Sequence, residues 1–159
     1  MLALRSLFFS LLLPGSVTLL IPYLLLSSGI ELISSRLEPF RFVGLVPILI
    51  GALILLRCIW DFAVTGRGTV APVDPPTTLV VRGLYRYVRN PIYVGVLLIV
   101  LGEAILFESL RLAIYAVILW LFFHLVVVLY EEPTLRGNFG SEYEAYLRSV
   151  GRWIPKRRG

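Results

Sequence analysis

The stretch RYVRNPIYVG, residues 86–95, carries the chain from an arginine-rich segment into an apolar run of membrane length. Asn90 is a residue type favoured at helix N-caps, and Pro91 fits the first helical position, where its missing N–H would have no partner anyway. The stretch therefore predicts a helix that begins at the membrane surface. Its free N–H groups and positive dipole end would lie beside arginines, which makes this corner suited to receive an anion.

Composition indicates a membrane protein. Hydrophobic residues make up 58% of the 159 residues, against about 45–50% in an ordinary soluble domain. Four runs, residues 6–26, 42–64, 91–107 and 111–130, can each cross about 30 Å of hydrocarbon as a helix. The first run is too long for a signal peptide and lacks a cleavage site of small residues, so we expect it to be retained. The predicted fold is all-α, a single membrane-embedded domain over residues 1–159 with four transmembrane helices.

The basic residues are placed unevenly in this topology. Arg36, Arg41 and Arg111 fall on one side, whereas most of the 15 basic residues fall on the other, with both termini and the loop of residues 65–90. The positive-inside rule then predicts cytoplasmic termini. The net charge of +5 is explained by topology and by contact with anionic membrane lipids, and no basic groove with aromatic residues indicates a nucleic-acid partner. Cys58 is the single cysteine, which excludes an internal disulfide.

The C-terminal part predicts a separate short helix. Residues 138–140, Asn-Phe-Gly, should break the fourth helix, and Ser141 with Glu144 has the spacing of a capping box. Four apolar or aromatic residues then follow at the spacing of one helical face: Tyr143, Tyr146, Leu147 and Val150. We expect this amphipathic helix to lie on the inner membrane surface or to fold back over the helix ends.

Ionisable residues inside the apolar runs are candidates for function, because a charge at mid-helix costs about 2.5–3.5 kcal/mol on insertion scales. Arg57 and Asp61, four residues apart, are interpreted as an intrahelical ion pair. Glu103 and Glu108 lie toward the outer end of the third run and are interpreted as structural. His124 has no second ligand at metal spacing, so no metal site is predicted, and a hydrogen-bonded packing role is favoured.

Glu131 and Glu132 form a different kind of pair. These adjacent carboxylates lie at the inner end of the fourth run, on the same side as Asn90 and Pro91. Like charges this close repel, so the arrangement needs a cation. Nearby arginines would be a structural answer, and a cationic cofactor or a proton-transfer duty a functional one. The residues alone leave these alternatives open.

Together these features resemble a family of membrane-embedded methyltransferases, which includes isoprenylcysteine carboxyl methyltransferases and phospholipid N-methyltransferases. The resemblance covers residues 83–155, in four motifs: RNPIYVG at 89–95, EEPTL at 131–135, FGSEYEAY at 139–146 and IP at 154–155. The family pattern has a histidine where this chain has Asn90. Asparagine cannot act as an acid or a base, but it can still fill a capping or backbone role.

The resemblance implies an S-adenosylmethionine site at the inner ends of the last two spans. Arg89 and the helix start at Asn90 and Pro91 would suit the cofactor's carboxylate. Glu131 and Glu132 would suit its cationic amino and sulfonium groups.

Further contacts with this cofactor are expected from four residues. The faces of Tyr93 or Tyr85 would suit the sulfonium, and His124 is counted as another contact. Gly95 would make room for the ligand, the alternative being close helix packing with Gly102.

Catalytic roles depend on the acceptor. Glu131 or Glu132 would take the proton of a phospholipid amine, whereas Arg148 or Arg152 would lie beside an isoprenylcysteine carboxylate. We expect a lipid-like acceptor to enter from the bilayer, most simply in a prokaryotic cytoplasmic membrane.

Two alternatives remain at this point. A sterol-type reductase using NADPH has a similar motif, but Ile92 and Val96 depart from it. A non-catalytic membrane protein that binds lipid or a partner would use the same charges as anchors.

Overall fold

The structure is a computed structural model that describes residues 14–28, 39–65, 79 and 81–156, with only the backbone at 62–65. Within these ranges the chain is helical, without a strand, which confirms the all-α prediction. The helices are α1 (Ser16–Ser27), α2 (Leu45–Thr65), α3 (Pro91–Leu106), α4 (Leu110–Val126) and α5 (Glu132–Ser149). Short 3-10 turns at Phe40–Gly44 and Gly83–Arg86 precede α2 and α3, and a π-helical turn, Val127–Glu131, joins α4 to α5.

Two of the four predicted spans reach the length that a membrane crossing needs. Phe40–Asp61 and Leu110–Ser149 are long and apolar enough, whereas Ser16–Ser27 and Pro91–Leu106 are apolar but shorter. At 1.5 Å per residue, α3 rises about 24 Å, less than the hydrocarbon thickness of about 30 Å. Residues 6–13 of the first predicted span lie outside the described ranges. The structure therefore agrees with an all-α membrane protein, and its third helix ends one residue before the end of the predicted run.

Paired glycines hold α3 tightly against α2. A Cβ on Gly51 would lie 2.5 Å from the carbonyl oxygen of Gly95, and one on Gly44 would lie 2.4 Å from that of Gly102. Gly44 ends the 3-10 turn that leads directly into α2. In each pair, Gly44 with Gly51 and Gly95 with Gly102, the glycines are seven residues apart, about two helical turns, so they share one face. Small residues on such a face let two backbones approach until they touch.

The opposite side of α3 packs against α4. Its central cluster consists of six buried residues: Val96, Leu97, Val100, Ala116, Leu119 and Phe123. A tight turn connects the two helices, and Ser109 caps α4 by accepting a hydrogen bond from the backbone N–H of Leu112, at 3.4 Å. Since the connection is so short, the two helices run antiparallel. The start of α3 and the end of α4 therefore lie at the same end of the bundle.

The C-terminal helix folds back over that end. Gly140, with φ 49° and ψ −120°, kinks α5 and confirms the predicted break. Tyr143, Tyr146 and Val150 are buried, as the amphipathic pattern predicted. Tyr146 donates a hydrogen bond to the carbonyl oxygen of Tyr85, at 2.7 Å. Of the two predicted placements, folding over the helix ends is thus the one observed.

The glycine contacts between α2 and α3 give a test of this packing. Gly51→Ala should lower the melting temperature of the detergent-purified protein, because overpacking a filled contact costs about 1–3 kcal/mol. Gly137→Ala is the matched control, since a Cβ there meets nothing within 4 Å inside α5. An alanine at Gly51 that melts no lower than the control would contradict the close contact.

Candidate active site

A short backbone contact brings the C-terminal segment to the start of α3. Val88 and Gly151 form a parallel bridge, and the N–H of Arg89 donates to the carbonyl oxygen of Gly151, at 2.9 Å. A side chain at Gly151 would not fit, because its Cβ would lie 1.9 Å from the carbonyl oxygen of Ile154. The bridge places Arg152 beside Arg89.

Glu132 lies between these two arginines. Arg89 Nη1 donates to Glu132 Oε1 at 2.9 Å. Arg152 binds both oxygens, with Nε to Oε1 at 2.7 Å and Nη2 to Oε2 at 2.9 Å. The exposed fractions of the side chains are 7% for Glu132, 11% for Arg89 and 32% for Arg152. This is a charge-assisted, partly bidentate cluster in a largely dry place.

The cluster answers one question that the sequence left open. Arginines bind both oxygens of Glu132, so the fold itself supplies the cation that this acid needs. Its hydrogen bonds raise the pKa of the Arg152 guanidinium above the ordinary value. Arg89 keeps one buried donor, Nε, without a partner in the described part of the chain.

Glu131 lies in a different environment. The Tyr93 hydroxyl donates to Glu131 Oε1, and the described residues offer no hydrogen bond to the second oxygen. The Tyr93 ring stacks on Phe123, with ring centroids 4.4 Å apart, and lies 6.5 Å from Trp153. The half-buried Glu131 carboxyl therefore borders an aromatic cluster and has one oxygen to spare.

His124 belongs to the same aromatic cluster. Trp153 Nε1 donates to His124 Nδ1 at 3.3 Å, and the imidazole stacks on Trp120 with ring centroids 5.5 Å apart. A neutral imidazole that accepts at Nδ1 carries its proton at Nε2. The hydrogen-bonded packing role favoured by the sequence agrees with this placement.

The start of α3 is where the sequence predicts it, but the side chain of Asn90 is used differently. Pro91 is buried at the first helical position, and Asn90 precedes it without capping the helix. Instead, Asn90 Nδ2 donates to the carbonyl oxygen of Arg152, at 3.2 Å. The segment after α5 supplies that acceptor, and no pattern in the sequence predicts that this segment passes so close to Asn90.

Two other predicted site residues, Gly95 and Arg148, do not contribute to the site as predicted. Gly95 faces α2, where a Cβ would meet the Gly51 carbonyl oxygen and the side chains of Ile54 and Leu55. The space is thus filled by helix packing and not left for a ligand, and Gly95 and Gly102 both face α2, as the alternative interpretation of the sequence expected. Arg148 is exposed in the last turn of α5. Because the chain turns back after Ser149, Arg152 and not Arg148 reaches the site.

Tyr85 lies close to Tyr93 and Glu131. It sits in the 3-10 turn before α3, where burial, followed by the nearby Cys58, Tyr146, Tyr93 and Glu131, raises the pKa of its hydroxyl. The predicted ion pair of Arg57 with Asp61 is observed at 3.1 Å.

Two aromatic residues of the site were not predicted. The rings of Trp153 and Phe123 both lie against the ring of Tyr93. The signal for Trp153 was its place directly before the Ile-Pro motif. Phe123 is one apolar residue among many in α4, so the sequence held no signal for it.

A cavity of about 480 Å³ adjoins this end of the molecule. Arg86 and Tyr87, just before the bridge, form one wall, and Ser149, Pro155 and Lys156 form the other. The Lys156 ammonium donates to the carbonyl oxygens of Leu147 and Arg148, at 2.9 and 3.0 Å. The cavity is therefore lined by two cationic groups, those of Arg86 and Lys156.

Comparison with known proteins places the sequence of this chain in a family. Residues 40–142 match the phospholipid methyltransferase family. A probable protein-S-isoprenylcysteine O-methyltransferase of Oryza sativa subsp. indica is 32% identical over 119 residues, which cover 72% of this chain and 60% of the relative. The protein-S-isoprenylcysteine O-methyltransferase of Schizosaccharomyces pombe is 37% identical over 78 residues, 48% of this chain and 33% of the relative.

A third relative, protein-S-isoprenylcysteine O-methyltransferase A of Arabidopsis thaliana, is 36% identical over 78 residues, 48% of this chain and 39% of the relative. The chain thus spans at most 60% of the length of these relatives. No solved structure matches it. The family match includes α2, α3, α4 and the first half of α5, and with them Arg89, Glu131 and Glu132. The chain belongs to the phospholipid methyltransferase family.

Proposed function

We propose that this chain transfers a methyl group from S-adenosylmethionine to a lipid-like acceptor, at the end of the bundle that carries Arg89, Tyr93 and Glu131. Family membership supports methyl transfer and points away from the NADPH-dependent reductase. The names of the relatives support an acceptor of the isoprenylcysteine type. The observation that carries the site is Glu131, a carboxyl with one oxygen to spare beside the stacked rings of Tyr93 and Phe123.

The residues present fit the charges of this cofactor. Bound there, S-adenosylmethionine supplies a methyl group on a positively charged sulfur. Glu131 and the faces of Tyr93 and Trp153 suit the cationic groups. The unpartnered Arg89 Nε suits the carboxylate. Glu132 is not proposed as a direct contact, because its two oxygens are already held by Arg89 and Arg152.

The same residues assign different duties for the two kinds of acceptor. A carboxylate oxygen can form its bond to the methyl carbon while the sulfur–carbon bond breaks, and no proton has to leave. The negative charge of Glu131 would then stabilise the positive charge of the cofactor. The chain would otherwise mainly orient the reactants and exclude water. An amine acceptor would have to lose a proton, which Glu131 could accept. We favour the carboxylate.

The proposed topology follows the charge distribution of the sequence. Both termini would lie in the cytoplasm with the arginine-rich end of the bundle. The cofactor would enter from that side, and the acceptor would enter from the bilayer between helices. Residues 83–155 would form the cofactor-binding half of one domain.

Glu131→Gln tests the proposed cofactor contact. It should weaken S-adenosylmethionine binding about tenfold or more, since a hydrogen bond to a charged group contributes about 1.5–3 kcal/mol. The melting temperature should change little, because glutamine can still accept from Tyr93. Calorimetric titration of the detergent-purified protein measures the affinity, and a thermal melt measures the stability. Both are made beside Glu142→Gln, which changes an exposed carboxylate of α5. Equal affinity in the two variants would remove Glu131 from the site.

Glu132→Gln should instead destabilise the fold. It leaves Arg89 and Arg152 without their anion, and breaking a buried pair costs about 3 kcal/mol or more. The matched control is Glu144→Gln, whose partner Arg136 is 52% exposed, so its loss should cost less than about 1 kcal/mol. Thermal melts of the two variants make the comparison, and similar melting temperatures would show that the arginine cluster contributes little.

The acceptor is identified by the product. The purified chain is incubated with radiolabelled methyl donor and either a farnesylated cysteine or a phospholipid extract. Label released by mild base is a methyl ester, whereas base-stable label on phospholipid is a methylated amine and would favour the second acceptor. Methyl transfer would be refuted if the protein bound NADPH but not S-adenosylmethionine, or if it bound neither of them.

A further inference from the structure

A second unsatisfied acid lies near the other end of α3. Glu103 follows Pro91 by twelve residues, about 18 Å along the helix, and precedes the helix end at Leu106 by less than one turn. Glu103 is only 9% exposed. Its Oε2 atom is buried and has no hydrogen-bond partner among the residues that the structure describes.

Glu103 forms part of the wall of a cavity of about 760 Å³. The rest of the wall is almost wholly apolar, with Leu19, Leu20 and Tyr23 from α1 and Phe107 from the end of α3. A volume of this size holds a drug-sized ligand or a length of lipid chain. The cavity thus combines one carboxyl group with a surface for hydrocarbon.

Tyr115 of α4 lies near Glu103 but does not satisfy it. The Tyr115 hydroxyl donates instead to the carbonyl oxygen of Val17, at 3.0 Å. A buried carboxyl without a partner costs free energy. Inside a membrane, such a residue marks a binding or transport site unless the fold pairs it.

We propose that this cavity binds an amphiphile with an ammonium headgroup. The Glu103 carboxylate pairs with the ammonium, and the hydrocarbon chain lies against Leu19 and Leu20 of α1. The depth agrees with this occupant, because Glu103 is less than one turn from the helix end, where headgroups meet hydrocarbon. At about 18 Å from the Pro91 end, the bound nitrogen is no methyl acceptor at Glu131. The site is therefore independent of the proposed methyl transfer.

Three probes with the same eighteen-carbon chain test this site: oleylamine, oleyl alcohol and methyl oleate. Binding to the detergent-purified full chain is followed by native mass spectrometry and by the shift in melting temperature. Oleylamine should bind saturably and at least about tenfold more tightly than oleyl alcohol, since an ion pair that excludes water contributes more than a neutral hydrogen bond. Methyl oleate, which has no donor, should bind most weakly.

Glu103→Gln should abolish the preference for the amine while oleyl alcohol still binds. Glu142→Gln, a carboxylate on α5 far from the cavity, should keep the preference. Leu20→Trp provides a second, independent variant, because it fills the cavity without removing the carboxyl, and it should weaken all three probes. The proposal fails if the three probes bind equally, if the preference survives in Glu103→Gln, or if none of them binds.

Discussion

Three side chains, Arg89, Glu132 and Arg152, connect parts of the chain that are far apart in sequence. Arg89 precedes α3, Glu132 opens α5, and Arg152 follows α5. Their hydrogen bonds exclude most water from Glu132 and leave it no freedom to serve another partner. A buried charge cluster of this kind is not assured to add stability over apolar packing. Its effect here is to fix where the last segment runs, and with it the position of Trp153 and the aromatic surface beside Glu131.

The two neighbouring acids, Glu131 and Glu132, have different roles because their surroundings differ. Glu131 and Glu132 are identical in type and adjacent in sequence, yet one faces a tyrosine hydroxyl and the other two guanidinium groups. Only the first keeps an oxygen for a ligand. A pair that reads as one motif in the sequence is therefore one ligand candidate and one structural anchor.

Local patterns predicted the helical class and most helix starts. Pro91 predicted the start of α3, and Gly140 predicted the kink in α5. The spacing of Tyr143, Tyr146 and Val150 predicted the buried face. Each of these features depends only on the backbone or the spacing of a few residues. The predicted run 91–107 exceeds α3 by one residue, since hydropathy does not record that Phe107 begins the turn into α4. Close packing at Gly95 and Gly102 was one of two interpretations of the sequence, but an isolated Gly51 gives no sign of which backbone it will meet.

The site was predictable to the extent that it is local. Arg89, Tyr93 and Glu131 come from two motifs whose helix ends had to meet if the spans run antiparallel. The placement of Arg152 and Trp153 depends on the bridge between Val88 and Gly151, a contact over some sixty residues that no periodicity encodes. For the same reason Arg148 looked as suitable as Arg152, and Asn90 looked like a simple cap.

The π-helical turn Val127–Glu131 sets the direction in which the two acids face. A π turn closes its hydrogen bond one residue later than an α turn, as the Glu132 N–H does to the Val127 carbonyl oxygen. The inserted residue rotates everything downstream by about 100° relative to an uninterrupted α-helix. The wide turn thus works as an angular offset between the apolar helix α4 and the polar helix α5. Without it, the carboxyl groups would point along a different side of the rod, and Tyr93 and the two guanidinium groups would have no anion opposite them.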